Sequence, residues 1–353
     1  MATLEQLVEK ARESTLFTAP VLGPDLRRFL EVQGPQVKAL AKKALDEKVE
    51  HVYWVGSGNS WVNLFSGKYL LDKFSSLYSD LYTSYDFVVR DPARLSPKTW
   101  VFLASFSGAT EDTVVALRHA KSRNAHTIAL VRKSDSLMGK EADVTIAYDS
   151  KALYILPLMA AYLFALEYAR LQGSQEAEAI LENLDSLPEL LSRQYVEEEA
   201  PARKLAEEFK DVKLLYTLAT GPLWGLGYKF GLTVFMENLR INGSFIDATE
   251  FRHGPVEMLE NEKPAMIFLL GSDESRKLVE RVITVCQEHD AHMVVYDAAQ
   301  YPSVHPLLAP FALMIPLQWF AVWSALMRGI ENLDDRVVMG RGTLGKGKGI
   351  TWP

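Results

Sequence analysis

The chain has little thiol and no surplus of positive charge. One cysteine, Cys286, stands among 353 residues, which excludes an intramolecular disulfide and any cysteine-based zinc cluster and fits a reducing compartment. Its 38 Lys and Arg fall short of 45 Asp and Glu, giving a net charge of −7, so the basic footprint of a nucleic-acid binder is missing. An anionic ligand must then be held by local donors rather than by the field of the whole protein. The N-terminal residues carry Glu5 and Glu9 and lack the apolar core of a secretory leader. Long apolar runs are scarce too: Phe311–Met327 comes nearest to a membrane span but contains Pro316 and Gln318. These absences point to a cytoplasmic globular protein with neither a membrane nor a nucleic-acid partner.

What is present is α/β grammar. With 48% hydrophobic and 24% charged residues, the chain has a soluble composition and the length for two domains. Leu26, Phe29 and Leu30 mark one helical piece, and Val37, Leu40, Ala41 and Ala44 a second, with Gly34-Pro35 as the break between them. His51–Val55 reads as a buried strand, Gly56–Ser60 as a turn and Trp61–Phe74 as a helix. Trp100–Ala104, Ser105–Thr110 and Glu111–Arg123 repeat that order. His126–Val131 and Val144–Ala147 read as strands, Leu153–Gln172 as a helix, and the polar residues around Gln175-Glu176 as a linker or surface turn. Further on, strands are expected at Leu214–Leu218, Gly243–Ala248, Ala265–Leu270 and His292–Tyr296, with helices at Trp224–Leu239 and Glu274–His289. Leu313–Pro316 is a candidate last strand before a final helix. Strands alternating with helices imply parallel, right-handed sheets with helices on both faces.

Two turns carry chemistry. Ser57-Gly58-Asn59-Ser60 and Ser105-Phe106-Ser107-Gly108-Ala109-Thr110 each end a strand and open a helix. Free backbone N–H groups at a helix start, with hydroxyls beside them, form an anion cradle that needs no lysine. Ser and Thr also occur there simply as N-caps. Neither turn has the dinucleotide or P-loop pattern, so a sugar phosphate fits better than NAD or ATP. Asp112, next to the second turn, would repel a phosphate if it faced inward and is expected to face out.

A third polar segment follows the Gly243–Ala248 strand. Thr249–Glu257 packs Glu250, Arg252, His253, Gly254-Pro255 and Glu257 together. Open α/β folds bind ligands beyond the carboxyl ends of their strands, and histidine can pass a proton either way near neutral pH. The plainer alternative is a loop ended by Gly-Pro, with His253 on the surface. Glu237 lies among Val234, Phe235, Met236 and Leu239, flanks too apolar for a fully solvated face. His289 and His292 flank Asp290 but straddle a helix end and a strand start, so no metal site is expected. Arg276 and Lys229 could meet a substrate carboxylate or form ordinary surface ion pairs.

The pair of turns, the second reading Ser105-x-Ser107-Gly108-x-Thr110, and Glu250-Phe251-Arg252-His253-Gly254-Pro255 resemble the sugar isomerase (SIS) domain. The whole is similar to the fructosamine deglycase family, which cleaves ketosamine 6-phosphates, and to the isomerase part of glucosamine-6-phosphate synthase. The resemblance implies an α/β protein of two tandem SIS domains. Residues 1–24 would be an N-terminal extension, 25–175 the first domain, 195–333 the second and 334–353 a tail. It also implies Glu237 and His253 as catalytic residues. Ser60, Ser105, Ser107 and Thr110 would hold phosphate, Ser57, Gly58, Asn59 and Gly108 would shape that site, and Glu250 would be an auxiliary contact.

No cofactor is implied. The partners would be a phosphorylated sugar-amine substrate and further copies of the chain, in a homodimer or larger assembly that shares its sites, so that His253 could serve a neighbour. Relatives have a tail that reaches the active site, a role for which Lys346 or Lys348 are candidates here. Alternatives left open are a glucosamine-6-phosphate deaminase, an aldose–ketose isomerase and a non-catalytic phosphosugar sensor. A synthase role is less favoured, since only a short extension precedes His51.

Overall fold

The computed structural model describes residues 3–14, 19–151, 154–260 and 263–341. The chain divides into two compact units, one formed by Pro24–Asp185 and the other by residues 186–341 together with the described residues up to Gly23.

In the first unit five strands pair in the order β2-β1-β3-β4-β5, all parallel. They are β1 His51–Gly56, β2 Tyr78–Thr83, β3 Thr99–Ser105, β4 His126–Val131 and β5 Val144–Ala147. β1 and β3 are buried along their whole length, as the central strands of a sheet covered on both faces must be. Side chains alternate between the faces. Tyr53, Val55, Val101 and Leu103 pack with Val114, Leu117 and Ala120 of helix Glu111–Ser122. Trp54 and Phe102 turn the other way, stacked at 4.6 Å, and meet Phe164 of helix Ile155–Leu171. Trp54 also lies on helix Asn59–Phe74 at Gly67, where an added Cβ would stand 2.7 Å from the indole ring.

In the second unit β6 Leu214–Ala219, β7 Asn242–Asp247, β8 Ala265–Leu270 and β9 His292–Asp297 form a four-stranded parallel sheet in the order β7-β6-β8-β9. Leu218, Met266, Phe268 and Leu270 form its core with Val279, Ile283 and Cys286 of helix Arg276–Glu288.

The expected strands are found, with three differences. β2 is additional. Gln175–Asn183 is a helix rather than a linker, capped by Ser174 Oγ accepting from Ala177 N at 3.3 Å. Leu313–Pro316 holds no strand: Met314–Met327 is helical, because a short apolar run suits either element equally. The apolar segment Pro306–Met327 does reach the length and composition of a membrane span, beyond the reading of Phe311–Met327, but all of its apolar window is buried inside the protein.

The Gly67 contact gives a stability test. Gly to Ala within a helix ordinarily gains up to about 1 kcal/mol, whereas forcing a methyl into a filled core costs about 1–3 kcal/mol. Gly67→Ala should therefore lower stability in denaturant titration, and a stabilised variant would refute the packing account.

Candidate functional site

Parallel pairing of β1 with β3 aligns Gly56 with Ala104, so the two Ser-rich turns leave the same sheet edge as neighbours. In the second turn Ser105 Oγ lies 2.7 Å from Thr110 Oγ1 and accepts from Gly108 N at 3.1 Å. Ser107 Oγ accepts from Ala109 N at 3.2 Å and lies 3.5 Å from each of the other two hydroxyls. Ser105, Ser107 and Thr110 thus form one hydroxyl cluster, buried at Ser105 and open at Ser107. Gly108 has φ +61° and a Cβ there would collide with Ser136 Oγ at 2.2 Å, so only glycine fits. The first turn places Gly58 at φ +54° before the helix that begins at Asn59. Ser57 and Ser60 bracket it, and Asn59 Nδ2 donates to Tyr154 Oη at 3.3 Å.

Asp112 does not face out. It is 9% exposed, and its Oδ2 accepts from Ser57 Oγ at 2.5 Å. Oδ1 accepts from Thr113 N at 2.8 Å and from Thr113 Oγ1 at 3.4 Å, and Thr113 Oγ1 lies 2.9 Å from Ser84 Oγ. The carboxylate sits in the first turn of its helix, where the dipole favours a negative charge, and it ties the two turns together. Three protein donors engage the carboxylate, and Ser57 directs its O–H at Asp112.

In the second unit Glu237 lies near the end of Lys229–Leu239, which winds as a π-helix, a form frequent at functional sites. Val234 and Phe235 are buried, but Met236 is 47% exposed, so the apolar flank expected around Glu237 is one-sided. Arg336, at the root of the tail, donates its Nε to Glu237, a contact that sequence spacing did not disclose. Lys346 and Lys348 lie outside the described residues.

The loop after β7 is organised by Asp247, whose Oδ1 accepts from Thr249 N at 2.9 Å and Thr249 Oγ1 at 2.8 Å. Phe251 is buried in the sheet's core cluster and anchors the short Phe251–His253 turn. His253 is exposed, as are Glu250 and Glu257, and Arg252 Nε donates to His253 Nε2 at 3.3 Å. Gly254 follows at φ +145°, a backbone that L side chains rarely adopt. Glu237 and His253 are not brought together within one chain: neither a hydrogen bond nor an ion pair joins them among the described residues. β7 runs between them, and its six residues span roughly 20 Å.

Two further candidates are occupied elsewhere. Arg276 pairs with Asp297 through Nη1 and Nη2 at 2.7 and 2.9 Å, and that hydrogen bonding raises its pKa further. Lys229 is not a surface residue. It is 1% exposed, its Nζ lies 3.0 Å from Met314 Sδ, and burial pushes the amine well below its ordinary pKa. Among the described residues no group of three or more His, Cys, Asp or Glu could hold a metal.

Residues 47–169 match the SIS domain. Over 314 residues the chain is 31% identical to the fructoselysine 6-phosphate deglycase of Escherichia coli strain K12, covering 88% of this chain and 92% of that protein. The chain belongs to the SIS phosphosugar isomerase and deglycase family. A second relative of this family, the fructosamine deglycase of Bacillus subtilis strain 168, is 32% identical over 298 residues, 81% of this chain and 90% of the relative. The solved C-terminal domain of glucosamine-fructose-6-phosphate aminotransferase from Francisella tularensis superposes with a TM-score of 0.77 at 17% identity, covering 93% of this chain and 99% of that one. As a member of this family, the protein is an enzyme of the phosphosugar isomerase and deglycase type.

The link between the turns is testable. Asp112→Ala removes the acceptor that holds Ser57, a charge-assisted bond of about 1.5–3 kcal/mol. A rise of about tenfold or more in KM for a phosphorylated substrate is expected, with an unchanged KM as the result that would refute it.

Proposed function

We propose that the protein is a deglycase that cleaves a ketosamine 6-phosphate of the fructosamine type to an aldose 6-phosphate and a free amine or amino acid. The observation that carries this reading is the 31% identity to a fructoselysine 6-phosphate deglycase across 92% of that protein's length. The Ser105, Ser107 and Thr110 hydroxyl cluster supports it, since uncharged donors at a helix start suit a phosphate.

Glu237 would take a proton from C1, next to the C2 ketone of the open-chain sugar, to give an enolamine. Return of a proton to C2 forms an imine at C1, and water then splits the C1–N bond, leaving the aldehyde on the sugar and the proton on the departing amine. His253 would carry the proton of the C2 oxygen or assist ring opening. Ser60, Ser105, Ser107 and Thr110 would bind the phosphate, with Ser57, Gly58, Asn59 and Gly108 shaping the turns and Glu250 an auxiliary contact.

Because β7 sets Glu237 and His253 at opposite ends of one strand, we infer a homo-oligomer in which His253 of one subunit works with Glu237 of another.

Incubation with fructoselysine 6-phosphate should release lysine and an aldose 6-phosphate, while glucosamine 6-phosphate should release no ammonia. The opposite pattern would replace the deglycase reading with a deaminase. Glu237→Gln and His253→Ala should each lower kcat by about 10²-fold or more, the worth of a proton-transfer group, with KM little changed. Co-expression of the two inactive variants should return part of the activity if sites are shared; mixed oligomers as inactive as their parents would rule sharing out.

A further inference from the structure

The helix that carries Glu237 ends against the segment Leu333–Arg336 of the same compact unit. Arg336 reaches back over that helix end. Its Nε donates to Glu237 Oε1, and its Nη1 donates to the Leu333 carbonyl at 2.6 Å. The same carbonyl accepts from Asn238 Nδ2 at 3.1 Å, and Arg240 Nη2 donates to the Asp335 carbonyl at 3.1 Å. The guanidinium is therefore braced by its own turn, which is itself fastened to the residue next to Glu237.

The grip is one-sided. Among the described residues Glu237 Oε2 accepts no hydrogen bond, while Oε1 is taken by Arg336. The side chains of Arg336 and Glu237 are 18% and 25% exposed, so the pair is shielded more than an ordinary surface ion pair, which contributes little. A charge-assisted bond held from a braced donor fixes direction as well as distance. A carboxylate near a helix end could otherwise swing through several rotamers, and displacement of a reacting group by about 1 Å can cost 10²-fold in rate.

We propose that Arg336 is a positioning residue: it locks the rotamer of Glu237 by occupying Oε1 and presents Oε2 to the substrate. This rests on the assignment of Glu237 as the proton-transfer group. It gives the root of the tail a part in turnover that is separate from any contact with the substrate.

The test uses the full-length protein turning over fructoselysine 6-phosphate. Arg336→Ala should lower kcat by about 10–100-fold while KM stays within about threefold and Tm stays near that of the parent. Arg336→Lys, which keeps the charge, should recover part of kcat, and so should millimolar methylguanidinium added to Arg336→Ala. Arg240→Ala removes a clasp on the same turn without touching Glu237 and should keep kcat close to the parent's. A parental kcat in Arg336→Ala would overturn the proposal. So would a loss that Arg240→Ala reproduces and that neither lysine nor methylguanidinium restores, since the contact would then serve only to dock the tail. Glu237→Gln separates the two claims: if that variant keeps full turnover, the assignment of Glu237 fails; if it is inactive while Arg336→Ala is not, only the role of Arg336 fails.

Discussion

Parallel pairing of β1 with β3 is the constraint on which the phosphate-type turns depend. Both strands end at one edge, in a register that matches Gly56 with Ala104, so residues about fifty apart in sequence emerge as neighbours. The hydrogen bond from Ser57 to Asp112, across 55 positions, then fastens one turn to the other. Burial of β1 and β3 on both faces makes this edge rigid, because Trp54, Phe102 and Phe164 on one side and Tyr53, Val55 and Leu103 on the other leave little space for slippage. A one-residue shift of register would exchange the two sets of side chains between the faces.

The same distinction between near and far explains what could be read from the sequence. β4, β5 and β8 occupy the residues expected of them, since each is a compact β-branched or aliphatic run with polar flanks. β2 was hidden because Tyr78–Thr83 is an edge strand with Ser79, Asp80 and Thr83 in it and both ends exposed, so its pattern resembles a loop. The strand proposed at Leu313–Pro316 dissolved into a helix buried nearly all round, where no amphipathic period marks the element. Site residues behaved alike. Ser105, Ser107 and Thr110 lie within six positions and were visible as a cluster. The inward turn of Asp112 and the reach of Arg336 to Glu237, over 99 positions, belong to tertiary structure and have no local signature.

The second sheet imposes a different constraint. A helix that returns antiparallel to its strands must end at the edge where the next strand begins, so Glu237 near its end and His253 beyond β7 are held apart by the strand's own length. A six-residue strand spans roughly 20 Å, more than a change of rotamer covers. If both side chains serve one reaction, as we propose, the missing proximity has to come from another copy of the chain.

The two anionic groups of the proposed chemistry are handled in opposite ways. The turns meant for a phosphate offer hydroxyls and backbone N–H groups, and the Asp112 carboxylate beside them is engaged by Ser57 and Thr113. Neutral donors suit a ligand that must arrive and leave, because they avoid the strong, geometry-locked pairing of a guanidinium with a phosphate. Glu237 does not leave, and it is this fixed carboxylate that receives the guanidinium of Arg336. Glutamate is otherwise free to sample many rotamers, and a charged clamp on one oxygen removes that freedom before the substrate binds. In a protein whose net charge is −7, the guanidinium of Arg336 is thus committed to a resident side chain, and under the proposed chemistry the hydroxyls and backbone N–H groups of the turns are left for the anionic ligand.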